Sequence, residues 1–519
     1  MNNLEVTKRL IILLLVGIFF VSFSGGVSAA CQNMGEGLWQ ADTCNQQDVQ
    51  ECIDSAVDGD TVRIPAGECE WDGIPDVSIS GKGITIQGAG ADMGGTVIIN
   101  TKPFLEYDGM FEIRSDDSHE IRVTGIWFKG STTNVGAVSH INVIGISTDA
   151  IVRIDNCKFS EGYMNDNWVL GSAIVISGPY AIVNNCTFDT AGKETIQVTG
   201  ESEHWTNPTN VGTDNSIFVE NNVFINNYVN PTGAHHIIAG FGGARYVLRY
   251  NDVHNGNIDA HGFCGNIKGS TRWYEIYENN LYIDSSFSQT DFMFLRGGSG
   301  VVYNNNIIND GSLNYDIRLT NYRSDEDWCN AATIRGASYE KCACNTINNP
   351  GEGYPSYDQI GRGQNQDSEP LYIWGNNFLG NQRSFTNIGV VDLGGSCDDE
   401  CGVVQNMADW IQQNRDYNLI EKPGYTPYTY PHPLTYPTCG DWIIEGSEEC
   451  DDGNTASEDG CSSLCMNEEG SGTCQSGADS DTSGDVSLSE LMSYIGDWKS
   501  GTVTLGDLMI GIGEWKNGC

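Results

Sequence analysis

One short phrase recurs along the middle of this chain: an apolar strand, a polar residue, an asparagine-containing corner, then a large apolar residue. It reads Val152-Arg-Ile-Asp-Asn-Cys-Lys-Phe159, Ala181-Ile-Val-Asn-Asn-Cys-Thr-Phe188, Ile217-Phe-Val-Glu-Asn-Asn-Val-Phe224 and Tyr246-Val-Leu-Arg-Tyr-Asn-Asp-Val253. Further copies end at Tyr282, Ile308 and Phe378. A period of about 29 residues marks a solenoid, in which each unit buries its apolar face against the next. The copies are short, rich in β-branched residues and Asn, and lack a 3.6-residue period, so the units are strands rather than helix pairs. The expectation is a mainly β chain whose residues 45–437 form a right-handed parallel β-helix.

Aligned on their last residue, the copies place Asn222, Asn251, Asn280, Asn306 and Asn376 in one column, headed by Cys157 and Cys186. Equivalent strands stack roughly 4.8 Å apart. Asn tolerates the tight corner and bonds amide to amide along such a stack. The polar position gives a second column, Asp155, Asn184, Glu220, Arg249, Glu278 and Asn304, which sets Arg249 between Glu220 and Glu278 as a charge ladder. Cys157 and Cys186 are either bonded or two small buried thiols. The last step, from Ile308 to Phe378, hides a further coil or a long insertion. Cys329, Cys342 and Cys344 fall within it and favour a disulfide-tied insertion over one face.

Both ends of the solenoid are recognisable. Val49, Ile53 and Ala56 lie at helical spacing within 47–57, a helix that would cap the first coil. Asp58-Gly-Asp-Thr-Val-Arg-Ile-Pro-Ala-Gly67 and Gly81-Lys-Gly-Ile-Thr-Ile-Gln-Gly-Ala-Gly90 follow. This entry resembles the pectate-lyase-like β-helix superfamily, where a capping helix leads into the same two strand motifs. At the far end 403–415 reads as a helix and 424–434 as an extended wrap. The resemblance implies a fold and leaves the reaction open.

Lys8 and Arg9 precede an apolar run from Leu10 to Val21, and Val27-Ser28-Ala29-Ala30 offers small residues for cleavage. This is an export signal over 1–30, the alternative being an uncleaved anchor. Cys31, directly after it, is a weak lipidation candidate. All 18 cysteines follow the signal, which implies disulfides in an oxidising, extracellular or cell-surface setting. A formal net charge of −43 argues against a nucleic-acid partner. Nothing after the signal is long and apolar enough to span a membrane.

Two small modules close the chain. Residues 438–466 resemble a secreted cysteine-rich repeat with the pattern C-G-D…E-C-D-D-G-N…D-G-C-S-x-x-C. There Asp451, Asp452, Asn454 and Asp459 either hold calcium or are solvated acids on a disulfide knot. After a linker at 467–473, Asp479, Asp481, Ser483, Asp485, Ser487 and Glu490 fit the ligand positions of an EF-hand loop, with Gly484 at its sharp turn. Leu491, Ile495 and Trp498 then share a helical face, and Leu508, Ile512 and Trp515 repeat the spacing. The 474–519 pair resembles a dockerin, which implies a cohesin-like partner. The second loop carries Gly496 and Trp498 where the first has Asp479 and Asp481, so it is expected to bind no calcium and leaves an anchoring or packing module equally open.

Half of the eight His lie between 235 and 261, and five cations fall within 245–296. In so acidic a chain that concentration marks the candidate site. Arg245, Arg272 and Arg296 each precede a strand and are expected along one edge. A lyase of the resembled fold removes the proton beside a uronate carboxylate; it needs a base and a cation that neutralises the carboxylate. His261 or His236 is the candidate base, with Asp259 and Arg272 beside them. Arg245, Arg296, Glu275, His235 and Trp205 are candidates for holding an anionic polysaccharide. Asp259-Ala-His261-Gly262 matches a polygalacturonase pattern only in fragments, which places hydrolysis second. The competing reading is a non-catalytic surface β-helix that binds glycan or serves structurally.

Overall fold

The computed structural model describes residues 30–72, 75–101, 109–115, 120–130, 139–145, 151–161, 171–178, 180–190, 194–200, 205–227, 235–262, 270–284, 291–310, 313–320, 358–380, 387–391, 408, 411–435, 439–440, 448–450, 461–462, 465–466, 478, 480, 486–500, 502–503 and 508. It forms two compact units, Met1–Tyr428 and Thr429–Cys519.

The first unit is a parallel β-helix. Each coil lays one strand in each of three sheets. Sheet 1 has 13 strands, from Cys31–Gly35 to Tyr417–Asn418. Sheets 2 and 3 have 10 each, running from Gly67–Trp71 to Asn377–Leu379 and from Val77–Ser80 to Ile388–Val390. Every named pairing is parallel except the first, where Cys31–Gly35 folds back on Leu38–Ala41. The expected cap is present as helix α1, Gln46–Ser55, with Val49, Cys52 and Ile53 buried. Lys82 closes its last turn by donating from Nζ to the carbonyls of Ile53 (2.8 Å) and Ala56 (2.7 Å). Disulfides Cys31–Cys52 and Cys44–Cys69 tie the cap to the first coil. Cys31 is therefore not available to a lipid.

The corner between sheets 1 and 2 has one conformation throughout. Asn156, Asn185, Asn221, Tyr250, Glu278, Asn304 and Gly375 have φ of 49°, 53°, 58°, 55°, 55°, 54° and 64°. This left-handed region favours Asn and Gly. The next residue points inward, which corrects the expected column by one residue in two coils. Leu281 and Ile307, rather than Tyr282 and Ile308, stack beneath Val253. The buried ladder is therefore Asn222, Asn251, Asn279, Asn305 and Asn376, each side-chain amide donating to the next at 2.9–3.1 Å. Asn280 and Asn306 lie outside, in a solvent-facing ladder beside Asp252. By the same shift Arg249 stacks between Glu220 and Tyr277, not Glu278.

Cys157 and Cys186 head the ladder as free, buried thiols. They do what the amides do one coil later. Asn251 donates to Val219 O and Arg249 O; Cys186 Sγ sits 3.6 Å from Ile154 O and 3.4 Å from Asn184 O. Beside them Phe128, Phe159, Phe188 and Phe224 stack with centroids 5.2, 4.9 and 4.7 Å apart.

Tyr303 pairs directly with Trp374, and Ile307 with Phe378, so no coil is hidden in the long step. The extra residues form an insertion between the sheet 3 strand Tyr315–Leu319 and the sheet 1 strand Leu371–Trp374. Cys329, Cys342 and Cys344 lie outside the described residues, as does most of the helix expected over 403–415.

The extended wrap is seen as far as Tyr428. It covers the outer face of sheet 1, where Tyr277, Tyr303 and Trp374 stack at 4.7 and 4.4 Å. Tyr425 packs edge-on against Tyr303 and Trp374, and Lys422 lies over Trp273 and Tyr372. In the second unit, disulfides Cys439–Cys465 and Cys450–Cys461 cross-link the cysteine-rich stretch. Helix α2, Leu488–Ser500, packs Leu491, Tyr494 and Ile495 against Ala478, Val486, Val503 and Leu508. Trp498, expected on that face, is exposed instead. No described helix is long and apolar enough to cross a membrane.

Candidate functional site

The outer face of sheet 3 brings several of the candidate residues together. Its strands His236–Phe241, Asn257–Ala260, Asp291–Leu295 and Tyr315–Leu319 lie side by side. Ile238, Ile258, Met293 and Ile317 point into the core, so the alternate residues Ala239, Asp259, Phe294 and Arg318 form an outward column.

Asp259 is at the centre and fully buried. Arg296 clamps it with two donors, Nε to Oδ1 at 3.1 Å and Nη2 to Oδ2. His236 Nε2 lies 3.6 Å from the same Oδ2. Burial works against ionising Asp259, but the charge of Arg296 and the neighbouring histidines outweighs it and holds the carboxyl below its usual range. The Nδ1 of His236 is buried and meets no hydrogen-bond partner. At that distance the imidazole and the carboxylate are in electrostatic contact without a direct hydrogen bond, and the second imidazole nitrogen lies inside the fold. His261 is half-buried, stacks on Phe241 with centroids 4.2 Å apart, and has Nδ1 2.8 Å from Gly262 O.

Two neighbours, Phe294 and Arg318, do not stand out in the sequence. Phe294 is half-buried between two guanidiniums, with Arg296 at 4.4 Å and Arg318 at 5.2 Å from its ring. Arg318 in turn pairs with Asp291 at 2.8 Å. Their signal is register: Phe294 and Arg318 follow Asp259 coil by coil, which is visible only once the turn lengths are known.

The other candidates separate from this cluster. Arg245 and Arg272 lie on the sheet 1 side of the turn, with Arg245 in register with Trp273. Arg272 is fully buried, pairs with Glu369 at 2.8 Å and stacks beneath Trp205 at 5.2 Å. Trp205 is itself buried, its Nε1 donating to Ser270 O, so it covers an arginine instead of offering a sugar platform. Glu275 is buried under the wrap, accepting from Gly212 N, Trp273 Nε1 and the Tyr425 hydroxyl. His235 is buried at the start of the sheet 3 strand, its carbonyl accepting from Asn257 N. Arg249, paired with Glu220 and bonded to Tyr277 and Tyr428, holds coils and wrap together.

In the second unit Glu490 accepts from the N–H groups of Ser480 and Ser487, both at 2.9 Å. Ser487 Oγ accepts from Glu490 N at 3.3 Å, which makes a capping box at the start of α2. Asp479, Asp481, Ser483 and Asp485 are outside the described residues, as are Asp451, Asp452, Asn454 and Asp459. Among the described residues no group of three or more His, Cys, Asp or Glu is placed to hold a metal.

A family model described as a domain of unknown function, DUF4215, matches residues 426–466. No curated protein matches the chain. Similar solved structures include an alginate lyase from Paenibacillus sp. str. FPU-7, at 11% identity, a TM-score of 0.36, and 69% of this chain and 98% of that one covered. A PL6 family polysaccharide lyase from Pseudopedobacter saltans matches at 15% identity and a TM-score of 0.31, covering 68% and 78%. The catalytic domain of a GH87 α-1,3-glucanase in complex with nigerose matches at 14% identity and a TM-score of 0.28, covering 70% of each chain.

Proposed function

We propose that this chain is a secreted carbohydrate-active enzyme, a polysaccharide lyase that cleaves an acidic glycan by β-elimination on the outer face of sheet 3. The observation that carries the reading is His236, whose Nε2 faces the buried Asp259 carboxylate while its Nδ1 meets no partner. Asp259 stays ionised because Arg296 holds it, so it orients the imidazole and stabilises the imidazolium that forms.

In this reading His236 takes the proton on the carbon beside the uronate carboxylate. The released electron pair forms the new C=C bond. The bond from the next carbon to the glycosidic oxygen breaks, and that oxygen leaves with a proton, which half-buried His261 supplies in this reading. The uronate lies against this outward column, where Arg296 and Arg318 place positive charge against its carboxylate. A general base contributes about 10²–10⁴-fold. The four disulfides among the described residues fit an oxidising compartment. The test is ultraviolet detection of unsaturated product from a panel of polyuronates, with His236→Ala as the control.

A non-catalytic, glycan-binding or structural role is the second reading. It is favoured by the pairing of Arg249, Arg272, Arg296 and Arg318 with carboxylates of this chain. For the tail we propose a calcium ion held by Asp479, Asp481, Ser483, Asp485, Ser487 and Glu490, supported by the inward reach of Glu490. Calcium would order the loop ahead of α2, and a cohesin-like or surface partner would dock on the ordered module.

A further inference from the structure

The outer face of sheet 2 changes character along the solenoid. In the early coils it is charged: Lys158 sits over the Trp127 ring at 4.0 Å, and Lys129 pairs with Glu161 at 3.4 Å. From Asp252 onward it is an amide ladder. Asn280 Nδ2 donates to Asp252 Oδ1 at 2.8 Å, Asn306 Nδ2 to Asn280 Oδ1 at 2.9 Å, and Asn377 Nδ2 to Asn306 Oδ1 at 3.4 Å. All four residues are exposed. Two residues further along each strand stand His254, Tyr282, Ile308 and Leu379, in register with one another. His254 and Leu379 are exposed, Tyr282 and Ile308 half-buried, and the His254 and Tyr282 rings lie 5.4 Å apart. The two columns hold one acid, Asp252, and no Lys or Arg.

The corner does not need this outer ladder, because the buried Asn251, Asn279 and Asn305 already satisfy it. An Asn amide carries two N–H donors and an oxygen with two lone pairs. The middle rungs, Asn280 and Asn306, each spend one N–H and one lone pair on their neighbours, which leaves the other N–H and lone pair for a ligand. The ladder repeats that donor–acceptor pair at the coil spacing, roughly 4.8 Å. Neighbouring hydroxyls of a sugar offer the matching acceptor and donor, and an extended β-linked pyranose chain advances by close to one coil spacing per ring. The adjacent column gives the C–H face of each ring an apolar and aromatic strip to pack on. In a chain of formal net charge −43, a strip this poor in charge has nothing to attract a polyanion and suits an uncharged polymer.

We infer that the ladder from Asp252 to Asn377, with the column from His254 to Leu379, binds a neutral, extended, β-linked polysaccharide running along the solenoid axis. The face belongs to a different sheet from His236 and Asp259, so the inference does not rest on the lyase reading. Depletion isotherms of the full chain on insoluble cellulose and on chitin test it, beside a variant carrying Asn280→Ala and Asn306→Ala. Both substitutions leave the buried ladder in place. The expected result is saturable binding to at least one polymer, unchanged at high salt and weakened at least tenfold in the double variant. Asn377→Lys, at the last rung, is expected to weaken binding as well, and it keeps the test decisive if the double variant does not fold. No saturable binding to either polymer, undiminished binding by the folded variants, or binding abolished by salt overturns the inference. Sedimentation of the parent as a dimer that the double variant turns into a monomer also overturns it, and assigns the face to a second copy of the chain.

Discussion

Asn251 donates its side-chain N–H to Asn279 Oδ1 at 3.0 Å, one coil along, and its own Oδ1 accepts from the backbone N–H of Asn222 at 2.9 Å. The same pair of bonds repeats down the solenoid, so each Asn satisfies a corner that would otherwise bury unmet backbone groups. Replacing Asn251 with Ala strands the Asn222 N–H and the Val219 carbonyl. At about 1–3 kcal/mol per unmet group, a loss of roughly 3 kcal/mol or more is expected in chemical denaturation. Asn280→Ala, on the solvent-facing ladder, should change stability by no more than about 0.5 kcal/mol. Equal losses at the two positions would contradict the register.

Cys157 and Cys186 take the donor positions of that ladder as thiols. Both should resist a thiol reagent in the native protein and react once it is unfolded, as mapped by peptide mass spectrometry. Recovery of a Cys157–Cys186 linked peptide from the native protein would show the assignment to be wrong.

His140 packs beside the stacked rings of Phe128 and Phe159, and burial lowers its pKa to about 4. Its folded value is below the unfolded one, so its stabilising contribution is complete above about pH 6.5 and is lost as pH falls toward 4. The loss amounts to about 3 kcal/mol. His140→Leu should flatten this part of the stability profile relative to the parent. Parallel profiles for the two proteins would count against a neutral, buried imidazole.

Tyr425 donates to Glu275 from the wrap, and burial raises the Glu275 carboxyl above its usual range despite that bond. The folded value exceeds the unfolded one, so stability is gained as pH falls and the ionised carboxylate is a cost at neutral pH. Tyr425→Phe removes a donor to that carboxylate. The expected loss is about 1–3 kcal/mol at pH 7, shrinking on acidification. A loss independent of pH would mean that ring packing alone accounts for Tyr425.

The fold was legible because strand period, cap helix and entry motifs all point one way. The one-residue slip came from the doublets Asn279-Asn280 and Asn305-Asn306. In each, either Asn can be aligned, since Leu281 and Tyr282, like Ile307 and Ile308, offer an apolar partner two residues on. The site was half legible. Asp259, His236, His261 and Arg296 were chosen for their chemistry, and the coil register brings them together. Arg272 and Trp205 were chosen for the same reasons and belong elsewhere, because a sequence does not show which side of a turn a side chain takes. Phe294 and Arg318 were missed because unequal turn lengths hide their alignment with Asp259.

The central claim rests on His236 acting as a base held by Asp259. The most direct measurement is formation of unsaturated uronate from a panel of polyuronates by the full chain, alongside folded His236→Ala. Product from at least one substrate and a loss of about 100-fold or more in the variant are expected. No unsaturated product from any polyuronate, with or without calcium, or an undiminished rate in His236→Ala, would contradict it.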